Sequence, residues 1–126
     1  MLHLIGKVLL LLIYAISGLG KFIDIRGTYK VVTKANIPFP LISTLLAIII
    51  QLVGVFFLLF SSPSYLSKVF FLPPKYGIIG AILLIIFTIF ATYYFHNYLN
   101  DASQKWNFYK NVGLIGGLIL LMSDYI

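Results

Sequence analysis

The sequence predicts an all-α integral membrane protein, a bundle of four transmembrane helices with little chain outside the bilayer, and three observations carry that reading. The first is composition. Of 126 residues, 61% are hydrophobic and only 10% charged, with a mean hydropathy of +1.05. A soluble domain carries about 25% charged residues, and one this small cannot bury such an apolar surplus, so the surplus faces lipid. The second is segmentation into four apolar runs, Leu2–Gly20, Leu41–Phe60, Gly77–Phe95 and Val112–Ile126. The third is charge placement: the cations that give the net charge of +6 sit mainly in the short connections between those runs. That pattern fits anionic headgroups and membrane topology rather than nucleic acid.

The first three runs have the roughly 20 residues that cross a hydrocarbon core about 30 Å thick. In lipid the backbone must satisfy its own hydrogen bonds, and runs of this length do so as helices. The predicted helices are 2–20, 41–60, 77–95 and 108–125, in a single domain covering 1–126. The last is extended backward through Trp106–Tyr109 because the run from Val112 alone is short. Lys7, the run Val8–Ile16 and the small residues before Gly18 also have the outline of a cleaved leader. Its charged region is thin and three more apolar segments follow, so a retained first helix is expected.

The first connection, Phe22–Pro40, holds Arg26, Lys30 and Lys34 just after Lys21 and ends Ile37-Pro38-Phe39-Pro40. Pro40 suits the first turn of the second helix, where its missing N–H removes no bond. The second connection, Ser61–Tyr76, is Ser/Pro-rich, with Pro63, Pro73 and Pro74 opposing helix continuation. The third, His96–Asn111, is polar and aromatic, and Trp106, Phe108 and Tyr109 read as part of an aromatic belt. The first and third connections share a side and carry six cations against three on the other, which places them in the cytoplasm and both termini outside it.

Contacts between helices in lipid are marked by small and polar residues. Tyr14, Gly18 and Lys21 fall together on the first helix, with Lys7 one heptad earlier. Ser43, Ala47, Gln51 and Gly54 form one face of the second. Gly77, Ala81, Thr88 and Thr92 form a stripe on the third, and Gly113 and Gly117 a small-xxx-small pair on the fourth.

Gln51 sits mid-helix, where a polar side chain is costly unless paired. The default is an interhelical hydrogen bond worth about 0.6–2 kcal/mol. The functional reading makes it the partner of a ligand or quinone in a pocket with Ser43, Thr88, Thr92 and Tyr14. Lys7 lies roughly 7.5 Å inside the first helix, within reach of the headgroups by snorkelling. Lys21 and Asp24 are expected to form a salt bridge or a helix-end cap. His3 and His96 fall at opposite faces, so no two-histidine haem site forms, and His96 beside Tyr93, Tyr94 and Tyr98 reads as an interfacial anchor. The chain has no cysteine and three acidic residues. Thiol chemistry is therefore excluded, and no metal set, Walker loop, dinucleotide fingerprint or nucleophile elbow is present.

From the end of the first helix onward the chain resembles the DoxX family of small bacterial membrane proteins. The likeness runs through Gly18-Leu19-Gly20-Lys21-Phe22-Ile23-Asp24, Tyr29, Ile37-Pro38, Gln51-Leu52-Val53-Gly54, Phe95-His96 and Lys110-Asn111-Val112-Gly113-Leu114-Ile115-Gly116-Gly117. It implies a four-helix bundle in the bacterial inner membrane and marks Gly18, Lys21, Asp24, His96, Lys110 and Asn111 as motif positions. The family commonly has glutamate where this chain has Gln51, and an amide keeps hydrogen bonding but exchanges no proton near neutral pH. Some relatives are subunits of thiosulfate:quinone oxidoreductase, and others associate with oxidative-stress enzymes. The resemblance therefore implies an accessory or anchoring subunit of a redox system, noncatalytic alone, with a redox-enzyme partner, quinone as the one cofactor in view, and no covalent group. The alternative is a small-molecule or lipid carrier with a pocket inside the bundle.

Overall fold

A computed structural model of the chain describes residues 2–64, 72–95 and 102–126. Among these described residues five α-helices follow one another: α1 (Leu2–Ile23), α2 (Ile25–Lys34), α3 (Pro40–Phe60), α4 (Pro74–Phe95) and α5 (Lys105–Ser123). A short 3-10 turn, Ala102–Gln104, leads into α5. The described residues contain no strand beyond an isolated parallel bridge between Ser61 and Leu72. By length and composition α1, α3 and α4 are each able to cross a membrane.

Several bounds move from the sequence expectation for local physical reasons. The first connection contains a helix of its own: Asp24 leaves α1 and its carboxylate accepts the Gly27 N–H at 2.9 Å, an N-cap that starts α2. The helix α3 opens with Pro40 in its first turn, as expected, after Phe39 takes a left-handed φ of 50°. That residue and Asn36 (φ 59°) fold the chain sharply from α2 into α3. The start of α4 is Pro74 rather than Gly77, because a proline in the first turn forfeits no intrahelical bond. Trp106–Tyr109 lie in the opening turns of α5, as the backward extension of the fourth run expected, and the helix begins at Lys105 rather than 108, with Trp106 exposed.

The helix α3 packs against α4, α1 and α2, and α5 runs along α4 with a lighter contact to α1. One end of the molecule is solid. Leu11 of α1, Val55 and Leu58 of α3, Ala81 and Leu84 of α4, and Leu118 and Leu121 of α5 form one core, closed by Tyr125 just past α5. Backbones approach closely where α3 crosses α4: a Cβ built on Gly80 would lie 2.8 Å from the Gly54 carbonyl oxygen. Gly77 has the aromatic ring of Tyr125 against its Cα, so a larger residue would displace that ring. Outward, the long helices show side chains such as Leu9, Ile16, Ile49, Ile89 and Leu120, all exposed.

Gly113 and Gly116 face open space, and only Gly117 touches another helix, through Leu10. Of the expected small-residue pair on the fourth helix, Gly117 is therefore at a helix contact and Gly113 is not. The inward face of α5 is Asn111, Leu118 and Leu121, whose longer side chains hold it against its neighbours.

Candidate functional site

The solid end is stitched by polar groups the sequence did not connect. Lys7, 1% exposed, donates to the Ser61 carbonyl at 3.3 Å and to the Tyr125 hydroxyl at 3.0 Å. That hydroxyl donates in turn to the Leu58 carbonyl at 3.3 Å. The ammonium thus serves the carbonyl-rich C-terminus of α3, where a cation is favoured. Snorkelling, expected for Lys7, does not occur: a partner inside the protein outcompetes the surface. One turn back on α1, His3 Nδ1 lies 2.7 Å from Asp124 Oδ2. These partners are separated by up to 121 residues, and nothing local in the sequence links them.

The other half of the molecule is hollow. A cavity of about 650 Å³ opens between α1, α2, α3, α4 and α5. This falls within the roughly 300–1,000 Å³ of ordinary ligand sites. Its wall is mainly aliphatic and aromatic, including Ile13, Leu46, Ile50, Phe87 and Phe90, while Thr28, Val31 and Val32 of α2 cover one side. Small residues make the space: Ala47 of α3 and Ala91 of α4 stand where larger side chains would fill it.

A polar seam crosses this wall. The Lys21 ammonium donates to Ser17 Oγ at 2.5 Å and to Gln51 Oε1 at 3.0 Å, and it lies 5.2 Å from the centroid of the Phe87 ring. Gln51, 1% exposed, donates through Nε2 to the Tyr14 carbonyl at 3.0 Å. The Tyr14 hydroxyl is 2.6 Å from Thr88 Oγ1, whose own proton goes to the Leu84 carbonyl at 2.7 Å, so tyrosine is the donor. Thr92 likewise donates to the Thr88 carbonyl at 2.7 Å and accepts from Asn111 Nδ2 at 3.0 Å. The seam links α1, α3, α4 and α5 by side chains.

Of the residues the sequence singled out, Tyr14, Lys21, Ser43, Gln51, Thr88, Lys110 and Asn111 line this one cavity. Thr92 stands behind it, bonded to Asn111. Ser43 is turned to its own backbone, donating to the Pro38 carbonyl at 2.7 Å. Gly18 keeps α1 near α3: a Cβ there would lie 2.8 Å from Leu52 Cδ2 and 3.4 Å from Gln51 Cγ. Asp24 caps α2 and is not paired with Lys21, which reaches into the protein instead. His96 lies outside the described residues. Missed from the sequence were Ser17, Phe87 and the covering role of α2. Ser17 was legible in principle, four residues before Lys21 on the same helix face.

Among the described residues no group of three His, Cys, Asp or Glu is placed to hold a metal ion. The seam contains hydrogen-bond donors, acceptors and one ammonium, which donates to the Ser17 hydroxyl rather than accepting its proton. Such a set orients a ligand and offers it hydrogen bonds. No protein-family model, curated protein or solved structure matches the chain.

Proposed function

We propose that this protein is a multi-pass integral membrane protein that binds a small, largely apolar molecule inside its helices. Its placement is the bacterial inner membrane, within the DoxX-like group, with α1, α3, α4 and α5 as four spans. Support for the membrane comes from three helices long and apolar enough to cross it and from their exposed Leu, Ile and Phe side chains. Lys21, Arg26, Lys30, Lys34, Lys105 and Lys110 gather at the end where the cavity lies, a bias that supports a cytoplasmic placement of that end with both termini external.

The binding reading rests on the cavity of about 650 Å³ with seven of the singled-out residues on its wall. Had those residues filled one another's hydrogen bonds around no void, the seam would be structural glue and nothing more. An apolar space with a few convergent polar groups is what a ligand site requires. The accessory redox subunit draws on the family resemblance alone and ranks second, a quinone being one ligand compatible with both.

The test is native mass spectrometry of protein taken from membranes without delipidation. A stoichiometric bound mass is expected, and filling the cavity by Ala47→Phe or Ala91→Phe should remove it while the protein remains folded. Protein that carries no bound mass, or a mass indifferent to both substitutions, would sink the reading.

A further inference from the structure

The walls of the cavity have a charge bias that selects among ligands. Two cations, Lys21 and Lys110, line it, and among the described residues that line it none is acidic. Of the acidic residues the structure describes, Asp24 is spent on the N-terminus of α2 and Asp124 on His3 at the opposite end. Lys21 has three N–H donors, of which Ser17 and Gln51 occupy two. Its position is fixed by those two acceptors and by the Phe87 ring beneath it. An ammonium held in an apolar cavity without a carboxylate is unfavourable until an anion arrives.

We propose that the cavity takes an amphiphile with one anionic oxygen headgroup, carboxylate or phosphate ester, seated against Lys21. This deepens the binding reading and rests on it. The headgroup accepts the third Lys21 donor, and charge-assisted contact of this kind is the strong class of hydrogen bond. Gln51 and Ser17 are positioning residues: they aim the ammonium and are themselves neutral. The hydrocarbon of the ligand lies along Ile13, Ile50, Ile86 and Leu114, which supply apolar contact without polar demand. Lys110 is exposed at the same cavity and adds attraction along the way in.

The experiment compares three probes of one chain length, oleate, oleyl phosphate and oleyl alcohol, on the full chain in zwitterionic nanodiscs. Native mass spectrometry reads occupancy and a thermal shift confirms it. At least one anionic probe should bind about tenfold or more tighter than the alcohol. Preference for oleate alone assigns a fatty acid, and preference for oleyl phosphate alone assigns a phosphate ester. Equal binding of all three overturns the headgroup proposal while the binding reading stands, and binding of none overturns the headgroup proposal and leaves the binding reading to its own bound-mass test. Two substitutions localise the effect. Lys21→Met should erase the preference for anions while keeping the affinity for the alcohol. Gln51→Glu sets a carboxylate where the amide oxygen now lies 3.0 Å from Lys21 Nζ and should erase the preference too. A preference that survives both substitutions overturns the assignment to Lys21.

Discussion

At the scale of single residues, glycines and one lysine separate packing from composition. The Gly80→Ala variant must push a methyl group toward the Gly54 carbonyl at 2.8 Å and Phe57 Cβ at 3.0 Å, against backbone that has no room to yield. We expect a loss of about 1–3 kcal/mol, the usual range for overpacking. At Gly113 the same change meets open space and improves helix propensity, so stability should hold or rise by up to about 1 kcal/mol. Denaturation of both variants in one detergent checks the contrast. Lys7→Met keeps the stem volume but removes the donor to Ser61 and Tyr125, and we expect a loss of about 1–3 kcal/mol. A gain instead would mean that desolvating the ammonium costs more than its bonds return. Gln51 was legible as a polar group needing a partner; that the partner is Lys21 was not. The two lie 30 positions apart, and only the crossing of α1 and α3 brings them together.

The short helix α2 exists because Asp24 caps it and because Thr28, Val31 and Val32 turn toward the cavity. Arg26, Lys30 and Lys34 recur every four residues on its exposed side, which suits a helix lying at a charged surface. Removing the cap by Asp24→Ala should cost about 1 kcal/mol. Its signature is faster hydrogen exchange at the amides of Gly27 and Thr28, with the core of α3 unchanged. Exchange as slow as in the parent chain would mean that packing of Val32, rather than the cap, holds α2. Sequence reasoning read this segment as a connection because ten residues bearing three cations have no long apolar run. It read the fourth helix by its glycines, of which Gly117 meets a neighbour, and the structure buries Asn111, Leu118 and Leu121. Both misreadings share a cause: the face of an element is chosen by its neighbours in space, not by its own periodicity.

For the whole molecule, the decisive prediction concerns how often the chain crosses the bilayer. The sequence contains no cysteine, so single cysteines report cleanly. With four spans and a cytoplasmic cavity end, Leu2→Cys and Ile126→Cys should react with a membrane-impermeant maleimide in intact cells, and Lys30→Cys only after lysis. If Ile126→Cys labels with Lys30→Cys, α5 does not cross and three spans remain. If Lys30→Cys alone labels in intact cells, the orientation is inverted.

The sequence by itself determined the all-helical class, the three long apolar helices and the polar positions that had to be answered inside the protein. These are local consequences of hydropathy, length and the cost of an unpaired polar group, and each is readable within one segment. Tertiary structure alone decided that one half of the molecule is solid and the other hollow. Leu58, Leu84 and Leu118 meet with no exposed surface at one end, while Ala47 and Ala91 leave space at the other. Which side chains fill a volume depends on how helices cross, and a crossing is a property of pairs of segments. The partners of Lys7 and Lys21 are fixed the same way, by contacts between residues that the chain itself keeps far apart.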